Sequence, residues 1–196
     1  MKKAVLIILV VLLSDQILKI WVKTNMFIGE SHPIIGSFFQ LHFIENNGMA
    51  FGMELFGGVA GKLVLSVFRI VALVVIAVVM RRISVSDKPF TLLVAVALIF
   101  AGALGNILDS AFYGLIFDAS LTWPYQNVAS FFPESGGYAP FLQGKVVDMF
   151  HFGARWPEWI PMVGGNMIFP PVFNLADTSI SVGVGLLFIL MLRKKI

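Results

Sequence analysis

Two short stretches of this sequence have the makings of acid–base chemistry: Gly105-Asn106-Ile107-Leu108-Asp109 and Phe173-Asn174-Leu175-Ala176-Asp177. Each sets an asparagine three residues ahead of an aspartate. On a helix such positions share a face, so the amide can donate to the aspartate or to whatever it binds. A further carboxylate, Asp148, lies in Lys145-Val146-Val147-Asp148-Met149-Phe150. Its apolar neighbours predict a re-entrant or surface-docked segment, which would bring Asp148 to the level of Asp177. Two carboxylates in a partly dry site do not readily both ionise, and one keeps a proton. Such a pair activates water with one member and protonates a leaving group with the other. That is the chemistry of aspartic peptide hydrolysis.

Competing schemes find fewer parts. The histidines are His32, His42 and His151, and neither a Gly-x-Ser-x-Gly elbow nor a His-Glu-x-x-His helix is present. A serine–lysine dyad could draw on Lys19, Lys62 or Lys145, but no serine is obviously poised beside them. The chain has no cysteine, which excludes disulfides, thiolate metal sites, a cysteine nucleophile and an acylated-cysteine anchor. A metal held by Asp109, Asp148, His151 and Asp177 is chemically conceivable. The reading adopted assigns neither a metal nor a cofactor.

The elements that must position these acids are apolar. Of 196 residues, 58% are hydrophobic and 13% charged, against roughly 45–50% and ~25% in soluble domains. With a mean hydropathy of +0.90, this excludes an ordinary soluble domain and also disorder. A helix needs about 20 apolar residues to cross the hydrocarbon core. Four stretches meet that length: 4–22, 59–80, 90–109 and 172–192. They are continuous rather than alternating, which predicts a helical bundle. The first is read as a retained span and not a cleaved leader, because Asp15 and Lys19 occupy the place of a small-residue cleavage site. The whole chain, 1–196, is read as a single domain.

Basic residues set the expected orientation. Lys2, Lys3, Arg81, Arg82, Lys88, Arg193, Lys194 and Lys195 alternate correctly if both termini and the turn between the second and third spans are cytoplasmic. The outer segments, 23–58 and 110–171, hold only Lys23, Lys145 and Arg155. Asp15, Asp109 and Asp177 fall toward the outer span ends. At 1.5 Å per residue, Asp15 is roughly 10 Å below the end of its span and Asp177 about 8 Å into its own. A charge at such depth costs at least ~2.5–3.5 kcal/mol unless paired or hydrated. Asp15 and Lys19 are spaced for an intrahelical pair, with Asp15 also placed to brace the outer segments. Arg69 sits near the middle of the second span, where a structural role is expected. Gly102 and Gly105 predict close helix packing.

The first outer segment reads as strands, with Phe38–Ile44 strand-forming and Asn46-Asn47-Gly48 a turn signal, so a small sheet on the membrane surface is expected. The second carries Trp123, Tyr125, Phe131, Phe132, Tyr138, Trp156 and Trp159, residues suited to the headgroup region; a lid over the site is the sharper alternative. A proton- or cation-coupled transporter would also use intramembrane acids, but here they gather at one side, and no internal repeat is found. A non-catalytic scaffold leaves the burial of Asp15, Asp109 and Asp177 unexplained.

At these residues the chain resembles the lipoprotein signal peptidase family, signal peptidase II, over nearly its whole length. Ser14-Asp15-Gln16-Ile17-Leu18-Lys19 is similar to the family's Asp-x-x-x-Lys element, and Asn46-Asn47-Gly48-Met49-Ala50-Phe51 to its Asn-x-Gly-x-Ala-Phe element. The two Asn-x-x-Asp stretches and Val146-Val147-Asp148-Met149-Phe150 are similar to three more. The resemblance implies four membrane helices, an outer-face β-cradle and a mobile periplasmic helix. The fold class expected is therefore an all-α polytopic membrane protein with four transmembrane helices, a small outer-face β-cradle and a long outer lid segment. The resemblance further implies an intramembrane aspartic endopeptidase of the bacterial cytoplasmic (inner) membrane. Such an enzyme removes signal peptides from prolipoproteins by cutting just before a diacylglyceryl-modified cysteine, and is inhibited by the cyclic peptide globomycin. It implies Asp148 and Asp177 as catalytic, with Asp15, Asn46, Gly48, Asn106, Asp109, Asn174 and Ala176 in support. The partners expected are the lipid-modified substrates and membrane lipid, with no nucleic acid, and nothing requires more than a monomer. Two departures stand out. Ser110 occupies a position where the family commonly has arginine, so any role of that arginine is either lost or supplied elsewhere, with Arg69 and Arg155 as the candidates. The stretch between Asp109 and Asp148 is also longer than usual.

Overall fold

The computed structural model of the chain describes residues 1–47 and 58–194. Its helices are α1 (Lys2–Asn25), α2 (Gly58–Ser84), α3 (Phe90–Leu108), a short α4 (Gly114–Ile116) and α5 (Leu175–Leu192). Among the described residues four segments are long and apolar enough to cross a membrane: Lys2–Asn25, Gly61–Ser84, Phe90–Ile116 and Leu175–Leu192. Most of their large side chains point outward, including Leu6, Leu13, Ile17, Phe68, Val74 and Phe188. In lipid that exposure carries no penalty, and packing within the bundle rests on small residues and hydrogen bonds instead.

Helix α3 is the hub, packing most extensively on α5 and then on α1 and α2. The sequence reading ends its span at Asp109, whereas the helical backbone continues to Ile116. It does so through a π-helical turn, Asp109–Tyr113, followed by α4. The Asp109 N–H reaches both the Asn106 and Gly105 carbonyls, and Ser110 Oγ donates to the Asn106 carbonyl at 3.0 Å. Turns of this kind occur frequently at functional sites.

A four-stranded antiparallel sheet, ordered β1 (Ser31–Ile35), β2 (Phe39–Asn46), β3 (Val146–Phe152) and β4 (Val172–Phe173), sits at one end of the bundle. Pro33 lies on β1, the edge strand, where a missing N–H is tolerated. The expected strand around Phe38–Ile44 is present as β2. The segment around Asp148, expected to be re-entrant or surface-docked, takes the form of the inner strand β3, buried on both faces at Val146, Val147, Asp148 and Met149. Apolar neighbours on both sides of Asp148 are what a doubly covered strand requires. Asp148 pairs with Ile44, and Asn46 with Val146.

Two apolar clusters close the ends. Val22, Met26, Leu41, Phe43, Tyr113, Phe117, Val147 and Met149 join α1, the π turn and the sheet. Ala4, Met80, Leu92, Leu93, Val96, Ala97 and Leu190 join the opposite helix ends. Between them α3 and α5 touch through glycine. A Cβ on Gly102 would lie 2.2 Å from the Ala176 carbonyl oxygen, while one on Gly185 would meet nothing within 4 Å. Gly102→Ala is therefore expected to lower the melting temperature in detergent, by an overpacking cost of about 1–3 kcal/mol. Gly185→Ala should leave it unchanged or raise it. Equal melting of both variants would contradict the close α3–α5 contact.

Candidate active site

The site is built from buried charge. Lys19, well inside α1, is 0% exposed. Its Nζ lies 2.9 Å from Asp15 Oδ2 and 2.7 Å from Asp109 Oδ2. It also donates to Asn106 Oδ1 at 2.9 Å. One ammonium thus ties α1 to two groups on and just beyond α3. Gln16 Nε2 adds hydrogen bonds to Asp109 Oδ1 at 2.9 Å and Asp15 Oδ2 at 3.2 Å, and Tyr113 Oη donates to Gln16 Oε1 at 3.2 Å. Asp15 both pairs within its helix and braces the neighbouring one, since Asp15 Oδ1 accepts from the Ala176 N–H at 2.9 Å. Ala176 is fully buried there, and a Cβ on Gly105 would meet Asp15 Oδ2 at 2.8 Å. The Asp15 carboxylate therefore sits where only a glycine at 105 leaves it room, with Ala176 close by at 3.3 Å from the same point.

From this base the polar network rises to two carboxylates. Asn174 caps α5 in a reciprocal capping box: the Asp177 N–H donates to Asn174 Oδ1 at 2.8 Å, and the Asn174 N–H to Asp177 Oδ2 at 3.3 Å. Asn106 Nδ2 donates to Asp177 Oδ1 at 2.8 Å. The Asn174 amide turns the other way, donating to Asp148 Oδ1 at 2.6 Å, to Asn106 Oδ1 at 3.1 Å and to the Val147 carbonyl at 3.3 Å. Asn46 Nδ2 donates to Asp148 Oδ2. Asp109 Oδ2 accepts from the Val147 N–H at 3.4 Å, which fastens β3 to the lysine cluster. Asn174 therefore touches both Asp148 and Asp177, and Asn106 connects them to Lys19.

The surroundings of the two acids differ. Asp148 is 2% exposed. Burial, reinforced by the charge of Asp177, pushes its carboxyl up to about 8, against the opposing pull of Lys19 and the Asn174 hydrogen bond. Asp177 borders a groove of about 290 Å³ lined otherwise by Phe152, Phe169, Phe173, Thr178, Ser181 and Val182. The aromatic wall is continuous, with ring centroids 5.6 Å apart for Phe152–Phe173 and 5.9 Å for Phe169–Phe173. One acid is enclosed and the other faces an apolar groove.

Among the residues singled out in the sequence, Asp15, Asn46, Asn106, Asp109, Asp148, Asn174, Ala176 and Asp177 come together in this network. Gly48 lies outside the described residues. His151 stands instead across from Gln40 on β2, its ring 5.7 Å from that of His42. Among the described residues no three His, Asp or Glu groups are arranged to hold a metal. Ser110 is buried, with its hydroxyl on the Asn106 carbonyl and its own carbonyl accepting from the Gly144 N–H at 2.8 Å. Of the arginines offered as substitutes, Arg155 donates to the Gly165 carbonyl at 2.9 Å. Arg69 is the one within electrostatic reach of Asp177 and Asp109.

Sequence reasoning missed a second buried cluster. Lys23, at the end of α1, is fully buried, ion-paired with Glu45 and hydrogen-bonded to Ser120 Oγ at 2.8 Å. Its Nζ lies over the Phe117 and Tyr138 rings at 5.4 and 5.2 Å. This is a serine–lysine pair, but both side chains are turned onto the Glu45 carboxylate, Lys23 as its ion-pair partner and Ser120 Oγ as a hydrogen-bond donor at 3.0 Å. Ser120 is nearly a hundred residues away in sequence, so no local pattern announces it.

Known proteins resemble this chain over almost its whole length. Residues 7–193 match the family model described as Signal peptidase (SPase) II. The lipoprotein signal peptidase of Porphyromonas gingivalis (strain ATCC 33277) is 44% identical over 189 residues, covering 93% of this chain and 80% of the relative. That of Amoebophilus asiaticus is 36% identical over 188 residues, covering 92% and 74%. A bacterial membrane enzyme solved by the in meso method at 1.9 Å resolution superposes with a TM-score of 0.62 at 26% identity, covering 98% of this chain and 94% of that one. The four apolar helices, the antiparallel sheet and these relatives together place the chain in the lipoprotein signal peptidase family, signal peptidase II.

Proposed function

We propose that this chain is an intramembrane aspartic endopeptidase, which removes the signal peptide from prolipoproteins by cutting just before a diacylglyceryl-modified cysteine. The observation that carries the reading is the grip of one asparagine, Asn174, on both Asp148 and Asp177, with one acid enclosed and the other beside an apolar groove. The sheet-bearing end faces outward in this reading. Lys2, Lys3, Arg81, Arg82, Lys88, Arg193 and Lys194 all belong to the opposite side of the bundle, as the basic-residue bias requires. Trp123, Tyr125 and Trp159 are 80%, 77% and 81% exposed on the long segments of the sheet-bearing end, where they suit the headgroup layer.

The acyl chains of the substrate enter sideways between helices and hold the scissile peptide at the level of the acids. Fixing the reactants in this way can supply about 7–11 kcal/mol of the barrier at best. Asp148 keeps its proton at neutral pH and donates it to the scissile carbonyl oxygen. Asp177 takes a proton from water as the water oxygen bonds to the carbonyl carbon. The tetrahedral intermediate then returns its hydroxyl proton to Asp148. As the C–N bond breaks, the leaving nitrogen receives the proton held by Asp177. Both acids end as they began. Asn106 and Asn174 keep the pair oriented through each transfer, and Asp15, Lys19 and Asp109 hold those asparagines from beneath. A globomycin-type cyclic peptide would compete at the same groove, and a monomer contains every residue this scheme uses.

Purified protein in detergent should cleave a diacylglyceryl-cysteine propeptide just before the modified cysteine. Asp148→Asn and Asp177→Asn should each lower kcat by about 10²–10⁴-fold while remaining folded by limited proteolysis. Near-normal cleavage by either variant would remove that residue from the reaction. The pH dependence has a definite sign. Because the Asp148 carboxyl is raised and its protonated form is the active one, kcat should fall as pH rises through about 8. The apparent value belongs to the pair. A kcat that rises across this range would reverse the assignment of the proton to Asp148.

A further inference from the structure

Beside the catalytic pair, the end of β2 is held from two helices at once. On one side Glu45 is gripped by Lys23 of α1, and Ser120 Oγ donates to Glu45 Oε1 at 3.0 Å. On the other, Lys62 in the opening turns of α2 donates to Asn47 Oδ1 at 3.3 Å and to the Gln143 carbonyl at 2.8 Å. Lys62 is only 8% exposed. Asn46 sits between the two gripped residues and donates to Asp148 Oδ2. Each lysine also seizes the long segment that joins α4 to β3, Lys23 at Ser120 and Lys62 at Gln143. Gln143 in turn lies three residues before β3, the strand that carries Asp148.

An ammonium is costly to bury and stays buried only where its hydrogen-bonding partners are fixed. Lys62 contributes nothing to the Lys19 cluster and touches neither carboxylate. What its contacts do is set the spacing between the end of β2 and the approach to β3, the two strands that bring Asn46 and Asp148 together. We propose that Lys62 is a positioning residue for peptide cleavage. Acting through Asn47 and Gln143, it keeps the Asn46 amide on Asp148, and the long 117–145 segment serves as the clamp through which it acts. This rests on the reading of Asp148 as one of the catalytic acids.

The test is steady-state kinetics on the full chain in detergent with a diacylglyceryl-cysteine propeptide. The variants are Lys62→Met, which keeps the apolar stem, and Asn47→Ala, which removes the acceptor and leaves the lysine. Each should lower kcat per folded molecule about tenfold with KM within about twofold, the split expected when geometry at the reacting atoms is lost and binding is not. In an Asn46→Ala background Lys62→Met should add nothing, because the two lie on one path. A purely structural role would reduce the folded fraction and leave kcat per folded molecule intact. Wild-type kcat in Asn47→Ala, or a Lys62→Met effect that multiplies in full onto Asn46→Ala, overturns the proposal. If Lys62→Met does not fold, Asn47→Ala decides alone. Asp148→Asn separates the two readings: if it is fully active the catalytic assignment itself falls, and if it is inactive while the Asn47 and Lys62 variants are normal, only the positioning role falls.

Discussion

The ammonium of Lys19, buried between Asp15 and Asp109 at 2.9 and 2.7 Å, is the constraint on which the rest of the site depends. Two carboxylates at that depth would repel each other and cost several kcal/mol to bury. The lysine offsets that cost and spends its remaining donor on Asn106. Once placed, the pair exports order in two directions. Asp15 holds the first turn of α5 through the Ala176 N–H, and Asp109 holds β3 through the Val147 N–H. Asp177 and Asp148 are each one residue from those anchor points. Among the described residues no buried side-chain nitrogen or oxygen lacks a hydrogen-bond partner, as a low-dielectric network of this size demands.

Symmetry is broken just above that base. Asn174 offers its oxygen to the Asp177 backbone and its amide to Asp148. The two acids share a neighbour but not an environment: Asp148 is enclosed in an inner strand, and Asp177 stands at the mouth of a groove walled by Phe152, Phe169 and Phe173. Enclosure favours the neutral acid, and access favours the group that meets water. In the proposed reaction the enclosed acid carries the proton and the accessible one meets the water.

Much of this was legible in the sequence, for physical reasons. The spans are readable because lipid requires unbroken apolar helices. The acids stand out because charge in an apolar run is expensive. The two Asn-x-x-Asp stretches had meaning because helical spacing places both residues on one face, although Asn174 turned out to act as the helix cap. Other features left little local trace. Asp148 was read as re-entrant or docked because a strand buried on both faces loses its alternation. The π turn at Asp109 has no spacing signature of its own. Lys23 looked like an outlying basic residue until the fold brought Glu45 and Ser120 to it. Gln16 lay inside a recognised element, yet its bridge from Asp15 to Asp109 depends on α3 standing beside α1.

The central claim is that this network leaves a single proton on the enclosed acid. Infrared difference spectroscopy of the purified protein, titrated from acid to alkaline pH, reads that proton directly through the carboxylic-acid carbonyl band. The account predicts a band present at neutral pH that disappears as pH rises through about 8 and is missing from Asp148→Asn. A wild-type protein with no band titrating in that range, or a band that survives in Asp148→Asn, would contradict it.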